Sequence, residues 1–220
     1  MEKTKSLYLK NYRIFLKENK TKMERNDKRG QKMRYEALRK EFEKQFPIPK
    51  GNSKKPYIIL FDGYTGMGKS TVSSLIAKYE KVIILNNDEV RKFLNDYNDQ
   101  TGLKDKLQKY RLEKLLEENN NCICDSCFCH NYEEKLKYYK SLGYKYYIIR
   151  LECSDETVKE RLSQRTLNKT NASIADYQGY LWMKQNVERV PLNLIDFTIN
   201  TEIDLEPQVQ KLVEMIRNAK

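Results

Sequence analysis

The chain has 220 residues, 39% of them hydrophobic, with 42 Lys/Arg against 31 Asp/Glu and a formal net charge of +11. That length suits one domain with an appendage and supports a real hydrophobic core. The sequence holds no run of about eighteen apolar residues that would span a membrane. It opens on the polar Met1-Glu2-Lys3-Thr4-Lys5 rather than an apolar leader, which predicts a cytoplasmic protein whose five cysteines are thiols.

The charge is unevenly spread. Residues 1–55 carry 18 Lys/Arg against 7 Asp/Glu, and residues 56–220 carry 24 of each. All of the excess therefore lies in an N-terminal arm and none in the body. Leu7, Leu9, Tyr12, Phe15 and Leu16 suggest one helical face in this arm. After the polar break at Asn26–Gly30, Tyr35, Leu38, Phe42 and Phe46 suggest another. Pro47–Pro56 reads as a stiff polar linker, which gives two parts, 1–55 and 56–220. The arm could neutralise phosphates of a nucleic acid, or it could be a solvated helix pair enriched in lysine by composition alone.

From residue 57 onward, strands and helices alternate. Strands are expected at Tyr57–Phe61, Val82–Leu85, Cys122–Cys124, Tyr146–Leu151 and Phe197–Ile199. Helices are expected over 70–79, 89–96, 103–118, 132–142, 155–167, 173–189 and 206–218. This alternation predicts an α/β fold, a five-stranded parallel sheet between two helical layers, with ligands beyond the carboxyl ends of the strands.

The segment after the first strand is the most specific signal. Gly63-Tyr64-Thr65-Gly66-Met67-Gly68-Lys69-Ser70 has the G-x-x-x-x-G-K-[ST] spacing of a phosphate-binding loop, with a strand before it and a helix beginning at Thr71 after it. Glycines let the backbone approach a phosphate chain, and successive N–H groups with the helix N-terminus face the anion. Lys69 would bridge the terminal phosphates and Ser70 would hold Mg²⁺. Gly63–Thr71 is thus a nucleoside triphosphate site.

Further polar residues follow the other strands. Asp88 and Arg91, three apart at a helix start, can face one cleft, the carboxylate taking a hydroxyl proton and the arginine fixing an anion. The plainer reading has Asp88 capping the helix and Arg91 solvated. Asp125, beside Ser126, could reach Mg²⁺ through water, position an acceptor, or merely end a strand. Arg161 and Arg165, four apart, can close over the nucleotide as a lid or serve as surface charge. The run Cys122, Cys124, Cys127, Cys129, His130 imitates a metal set, but Cys122 and Cys124 share one face of a strand and read as small apolar residues. His130 reads as a loop residue.

These residues, over roughly 57–200, resemble the P-loop kinases that include polynucleotide 5′-hydroxyl kinases and the zeta-toxin group. The matching strings are Gly63–Ser70, Asn86-Asn87-Asp88-Glu89-Val90-Arg91, Asp125-Ser126, and Arg161 with Arg165. Val90–Asp96 also looks like adenylylsulfate kinases. The segment Cys127–Lys135 has no arginine where many relatives place one, a departure that bears on the acceptor. The resemblance implies a three-layer P-loop kinase that uses ATP and Mg²⁺, with Asp88 as the base and Lys69 and the lid arginines on the transferred phosphoryl group. It implies a polynucleotide 5′-hydroxyl as acceptor, with a small molecule as the alternative. A nucleotide switch would carry Asn-Lys-x-Asp where this chain has Asn168-Lys169-Thr170-Asn171, and a non-catalytic binding module would have no use for both Lys69 and Asp88.

Overall fold

Continuous apolar runs form strands when both of their faces are covered. Tyr57–Asp62, here β1, meets that condition, since all six residues are buried. In the computed structural model, which describes residues 30–97, 102–168 and 176–219, it is the central strand of a parallel sheet ordered β2-β3-β1-β4-β5. The others are β2 (Val82–Asn86), β3 (Asn121–Cys127), β4 (Lys145–Glu152) and β5 (Phe197–Asn200). The expected three-layer α/β architecture is the observed one.

The chain divides into two compact units, Met1–Pro47 and Ile48–Lys220. In the first, a helix over 30–45 (α1) takes in the expected second apolar stretch, with the rings of Phe42 and Phe46 at 4.7 Å. The stretch 7–16 lies outside the described residues. In the second unit, the expected linker is stitched to the turn before β3. Gly51 N–H donates to Glu118 O at 2.7 Å, Ser53 N–H to Asn119 O at 3.0 Å, and Asn120 Nδ2 to Pro49 O at 2.8 Å.

Helices α2 (Lys69–Tyr79), α3 (Asn87–Asp96), α4 (Lys104–Glu117), α5 (Tyr132–Ser141), α6 (Asp155–Asn168), α7 (Tyr177–Asn186) and α8 (Leu205–Asn218) connect and cover the strands. In α8 the core face is Val209, Leu212, Val213 and Ile216, at helical spacing. Among the described residues no helix is long and apolar enough to cross a membrane.

Two differences from the expected elements position the site. β3 runs on to Cys127, and its register against β1 jumps from Leu60↔Cys124 to Phe61↔Cys127. Asp125 and Ser126 occupy that bulge, which re-aims side chains at a sheet end. Second, α7 stops at Asn186 rather than 189. Pro191 disfavours helical backbone at Val190, and Val187 is extended. The released segment 187–190 crosses beneath the glycine loop.

Candidate active site

The site is built at the carboxyl ends of β1, β2 and β3. After β1 the chain turns through Gly66 and Gly68, whose φ angles are +79° and +88°. A Cβ on Gly66 would also lie 2.8 Å from Val158 Cγ1 on α6, so glycine is required twice over. Gly68 is the N-cap of α2, with no side chain capping the helix and no acidic residue in its first turn. Its N–H groups are thus left for an anion. Lys69 folds back on the loop, donating to Gly63 O at 3.1 Å and Tyr64 O at 2.7 Å. Burial lowers its pKa, opposed by the nearby Cys127 and Asp125.

The remaining loop residues hold the turn. Tyr64 is buried, with its hydroxyl on Val187 O at 2.6 Å, and Met67 Sδ accepts from Tyr64 N–H at 3.1 Å. Thr65, Gly66, Gly68, Lys69 and Ser70 line a cavity of about 880 Å³. Gly63, Tyr64 and Met67 lie behind that lining, and Thr71 is exposed beyond it.

The same cavity is lined by Asp88, Arg91, Asp125, Ser126 and Arg165. The cap of α3 is Asn86, whose Oδ1 accepts from Asp88 N–H at 2.8 Å. The capping role suggested for Asp88 is thus filled by its neighbour, and the Asp88 carboxylate pairs with Arg91 instead. Asp125 is buried, which raises its pKa. A hydrogen bond with Ser70 and the charge of Lys69 oppose that shift, and Asp88 adds to it.

Arg161 and Arg165 part company. Arg165 lines the cavity. Arg161 donates from Nη1 to Thr201 Oγ1 at 3.0 Å and from Nη2 to Thr201 O at 2.6 Å, on the flank of Gly68. Residues 169–175, which include the expected start of a helix at 173, lie outside the described residues.

Of the cysteine run, Cys122, Cys124 and Cys129 are buried, and Cys127 reaches the cavity. Among the described residues no three His, Cys, Asp or Glu side chains converge as a metal set. Ser70 and Asp125, already paired, are hard oxygen donors that suit Mg²⁺ when phosphates supply the other ligands.

Sequence reading missed the support beneath the loop. Asp62, wholly buried, accepts from Arg150 Nε at 2.8 Å and from Arg189 Nε at 3.2 Å. Arg189 Nη2 also reaches Asp62 O at 2.7 Å and Leu151 O at 2.9 Å. An aspartate ending an apolar strand and an arginine inside another, Arg150, are the signals that could have found it, since a buried charge needs a partner. The cavity lining also holds Gln108, Lys104, Lys109 and Lys135, with the acids Asp105 and Glu134, which no motif singled out.

Comparison with known proteins adds the family. The profile of the AAA domain family (AAA_33) matches residues 58–190. No curated protein matches the chain. Among solved structures, a protein assigned as a kinase, from Chloroflexus aurantiacus J-10-fl, is similar with a TM-score of 0.57 at 19% identity, covering 77% of this chain and 100% of that one. The Mycobacterium tuberculosis APS kinase CysC, solved with AMPPNP and APS, gives 0.51 at 16%, covering 74% and 98%. A gluconokinase from Sinorhizobium meliloti 1021 gives 0.50 at 13%, covering 75% and 95%. At such identities the likeness is one of fold, and the fold is that of the P-loop kinases. With its glycine loop inside a match that spans more than half its length, this chain belongs to the AAA domain family.

Proposed function

We propose that the chain is an ATP-dependent kinase that phosphorylates a small hydroxyl compound bearing an anionic group. One observation carries the reading: a single cavity of about 880 Å³ is lined by the phosphate loop together with the carboxylates of Asp88 and Asp125 and the cations of Arg91, Lys135 and Arg165. That volume falls in the range of small-ligand sites, roughly 300–1,000 Å³.

In the transfer, the acceptor oxygen bonds to the γ-phosphorus, the bond from that phosphorus to the β-bridging oxygen breaks, and ADP leaves. Asp88 takes the hydroxyl proton. Lys69 and Arg165 stabilise charge on the equatorial oxygens. Mg²⁺, held at Ser70 with Asp125 alongside, would neutralise charge between the β- and γ-phosphates. Arg161, fixed on Thr201 beside Gly68, would flank the base or ribose.

The acceptor wall supports the anionic substrate. Arg91, Lys109 and Lys135 line the cavity, with Lys104 paired to Asp105 at 3.2 Å and Glu134 nearby in the lining, and burial lowers the pKa of Lys135, an effect that an anionic ligand would oppose. Gln108 donates from Nε2 to Asn87 Oδ1 at 3.0 Å while its buried Oε1 has no partner among the described residues. That oxygen suits a second hydroxyl of the acceptor. An acceptor anion that draws Arg91 away would also free the Asp88 carboxylate for its role as base.

The fold shared with an APS kinase and a gluconokinase fits a small acceptor. The polynucleotide 5′-hydroxyl reading rests on the likeness of Asn86–Arg91 and Asp125-Ser126 to polynucleotide kinases and on the charge of residues 1–55, of which 1–29 lie outside the described residues. Radiolabel transfer from ATP to adenylylsulfate, sugar acids, sugar phosphates and hydroxyl-ended oligonucleotides separates the two. Transfer to a small anionic alcohol, reduced about 10²–10⁴-fold in Asp88→Asn, is the expected result. Transfer to oligonucleotide ends alone overturns the acceptor, and nucleotide binding without transfer to any of them overturns the kinase.

A further inference from the structure

The kinase reading leaves two adjacent thiols unused, one lining its cavity and one behind that lining. Cys127 is half-buried and lines that cavity, while Cys129 behind it is 1% exposed. Their sulfurs lie 2.9 Å apart, with only Phe128 between them in the chain.

This is not a loose loop. Phe128 N–H donates to Phe61 O at 2.9 Å, extending the pairing of β3 with β1, and the buried Phe128 ring sits 5.9 Å from that of Tyr139. Lys135 Nζ donates to Cys127 O at 2.8 Å. Lys135 and Lys69 line the same cavity as Cys127. The sulfur that reaches solvent is therefore the one in a cationic setting, where cysteines react. Its neighbour is held within reach to resolve a first adduct.

We propose that Cys127 and Cys129 form a redox-active dithiol in the nucleotide cavity, which reacts with small anionic disulfides such as glutathione disulfide. Cys127, giving up its proton, attacks one sulfur of the reagent, and that disulfide bond breaks with release of the first thiolate. Cys129 then loses its proton and attacks Cys127 Sγ, which forms the Cys127–Cys129 bond and expels the second thiolate. The two released thiolates take up the two protons. Two electrons pass from the protein to the reagent, and a dithiol reverses the sequence. Bound nucleotide covers Cys127, so the site is oxidised when the cavity is empty.

The test uses the full chain with glutathione disulfide as the probe. Without nucleotide, intact mass should fall by two hydrogens, and peptide mapping should link Cys127 to Cys129. Cys129→Ser should accumulate a stable glutathione adduct on Cys127, Cys127→Ser should form neither product, and Cys153→Ser, which removes the other half-buried thiol, should react as the unaltered chain does. Circular dichroism confirms that each variant is folded, and Cys129→Ala repeats the arm if the serine variant is not.

No cross-link in the nucleotide-free chain, or one that survives in Cys127→Ser, overturns the proposal. At MgATP near 100 times its Kd the reaction should slow about 100-fold, following the fraction of empty protein. This last arm rests on the kinase reading. An unchanged rate in protein shown to hold nucleotide overturns the nucleotide gating, whereas a chain that binds no nucleotide overturns that reading and leaves the nucleotide-free arm to decide the dithiol.

Discussion

Two acidic residues mark the two sides of the glycine loop, and they live under opposite rules. Beneath it, Asp62 is wholly buried and bound by Arg150 and Arg189, whose side chains are 12% and 25% exposed. Above it, Asp88 is 24% exposed, Arg91 is 47% exposed, and both border open space. The lower group is saturated with fixed partners, and the upper one has, among the described residues, one side-chain ion-pair partner that a ligand can replace. A charge whose hydrogen bonds are all filled from within the fold is a fastener. A charge at a cavity wall with capacity to spare is where chemistry can occur.

The comparison breaks most sharply at Asp62. Removing one member of a buried ionic group strands the others, at a cost of about 3–5 kcal/mol. Asp62→Ala should lower the free energy of unfolding by that amount in a denaturant titration. Lys69→Met is the counterpart. It should reduce kcat by about 10²–10³-fold, as loss of a transition-state donor does, with unfolding changed by no more than its two loop hydrogen bonds are worth, about 1 kcal/mol each. If Asp62→Ala unfolds at the same denaturant concentration as the parent, the division between fastener and reactive charge fails.

The same division explains what could be read from the chain. Asp88, Arg91, Asp125 and the glycine loop were legible because each follows a strand within a few residues, so local spacing carries the signal. The five strands were legible because apolar runs and turn residues are also local. Asp62 and its arginines were not. Arg150 and Arg189 lie 88 and 127 residues from it along the chain, and only the sheet order that sets β4 beside β1 brings them together. The bulge at Asp125 likewise depends on a pairing that no window of sequence contains, whereas the end of α7 was signalled locally by Pro191. Arg161 shows the converse. Its spacing from Arg165 is helical, but its guanidinium is taken by Thr201 on the loop after β5.

Asp125 sharpens the comparison, because it is buried yet belongs to the upper group. Burial raises its pKa despite the Ser70 hydrogen bond, so the folded chain holds this proton more tightly than the unfolded one. That contribution to stability is complete below the ordinary value of 3.8. It is lost as pH rises through the raised folded value. Asp125→Asn should therefore be more stable than the parent at neutral pH, with the gain shrinking as pH falls towards the ordinary carboxylate range. It should also need more Mg²⁺ for transfer. Melting temperatures at several pH values check the sign, and a variant less stable than the parent at neutral pH would place Asp125 with the fasteners.

The smallest expected effect separates the two arginines of α6. Arg161 grips Thr201 through a fork that lysine cannot reproduce. Loss of one such internal hydrogen bond costs about 1 kcal/mol of folding stability. Arg161→Lys should lower the free energy of unfolding by about that amount and leave kcat nearly unchanged, because the residue sits beside the loop and does not line the cavity. Arg165→Lys should do the reverse, since its guanidinium lines the cavity with Asp125 and Lys69, where the γ-phosphoryl group would pass. Steady-state kinetics and denaturant titrations on the two variants decide the matter. A fall in kcat of similar size in both would mean that the helix closes as one lid over the nucleotide, with Thr201 surrendering Arg161 as it does so.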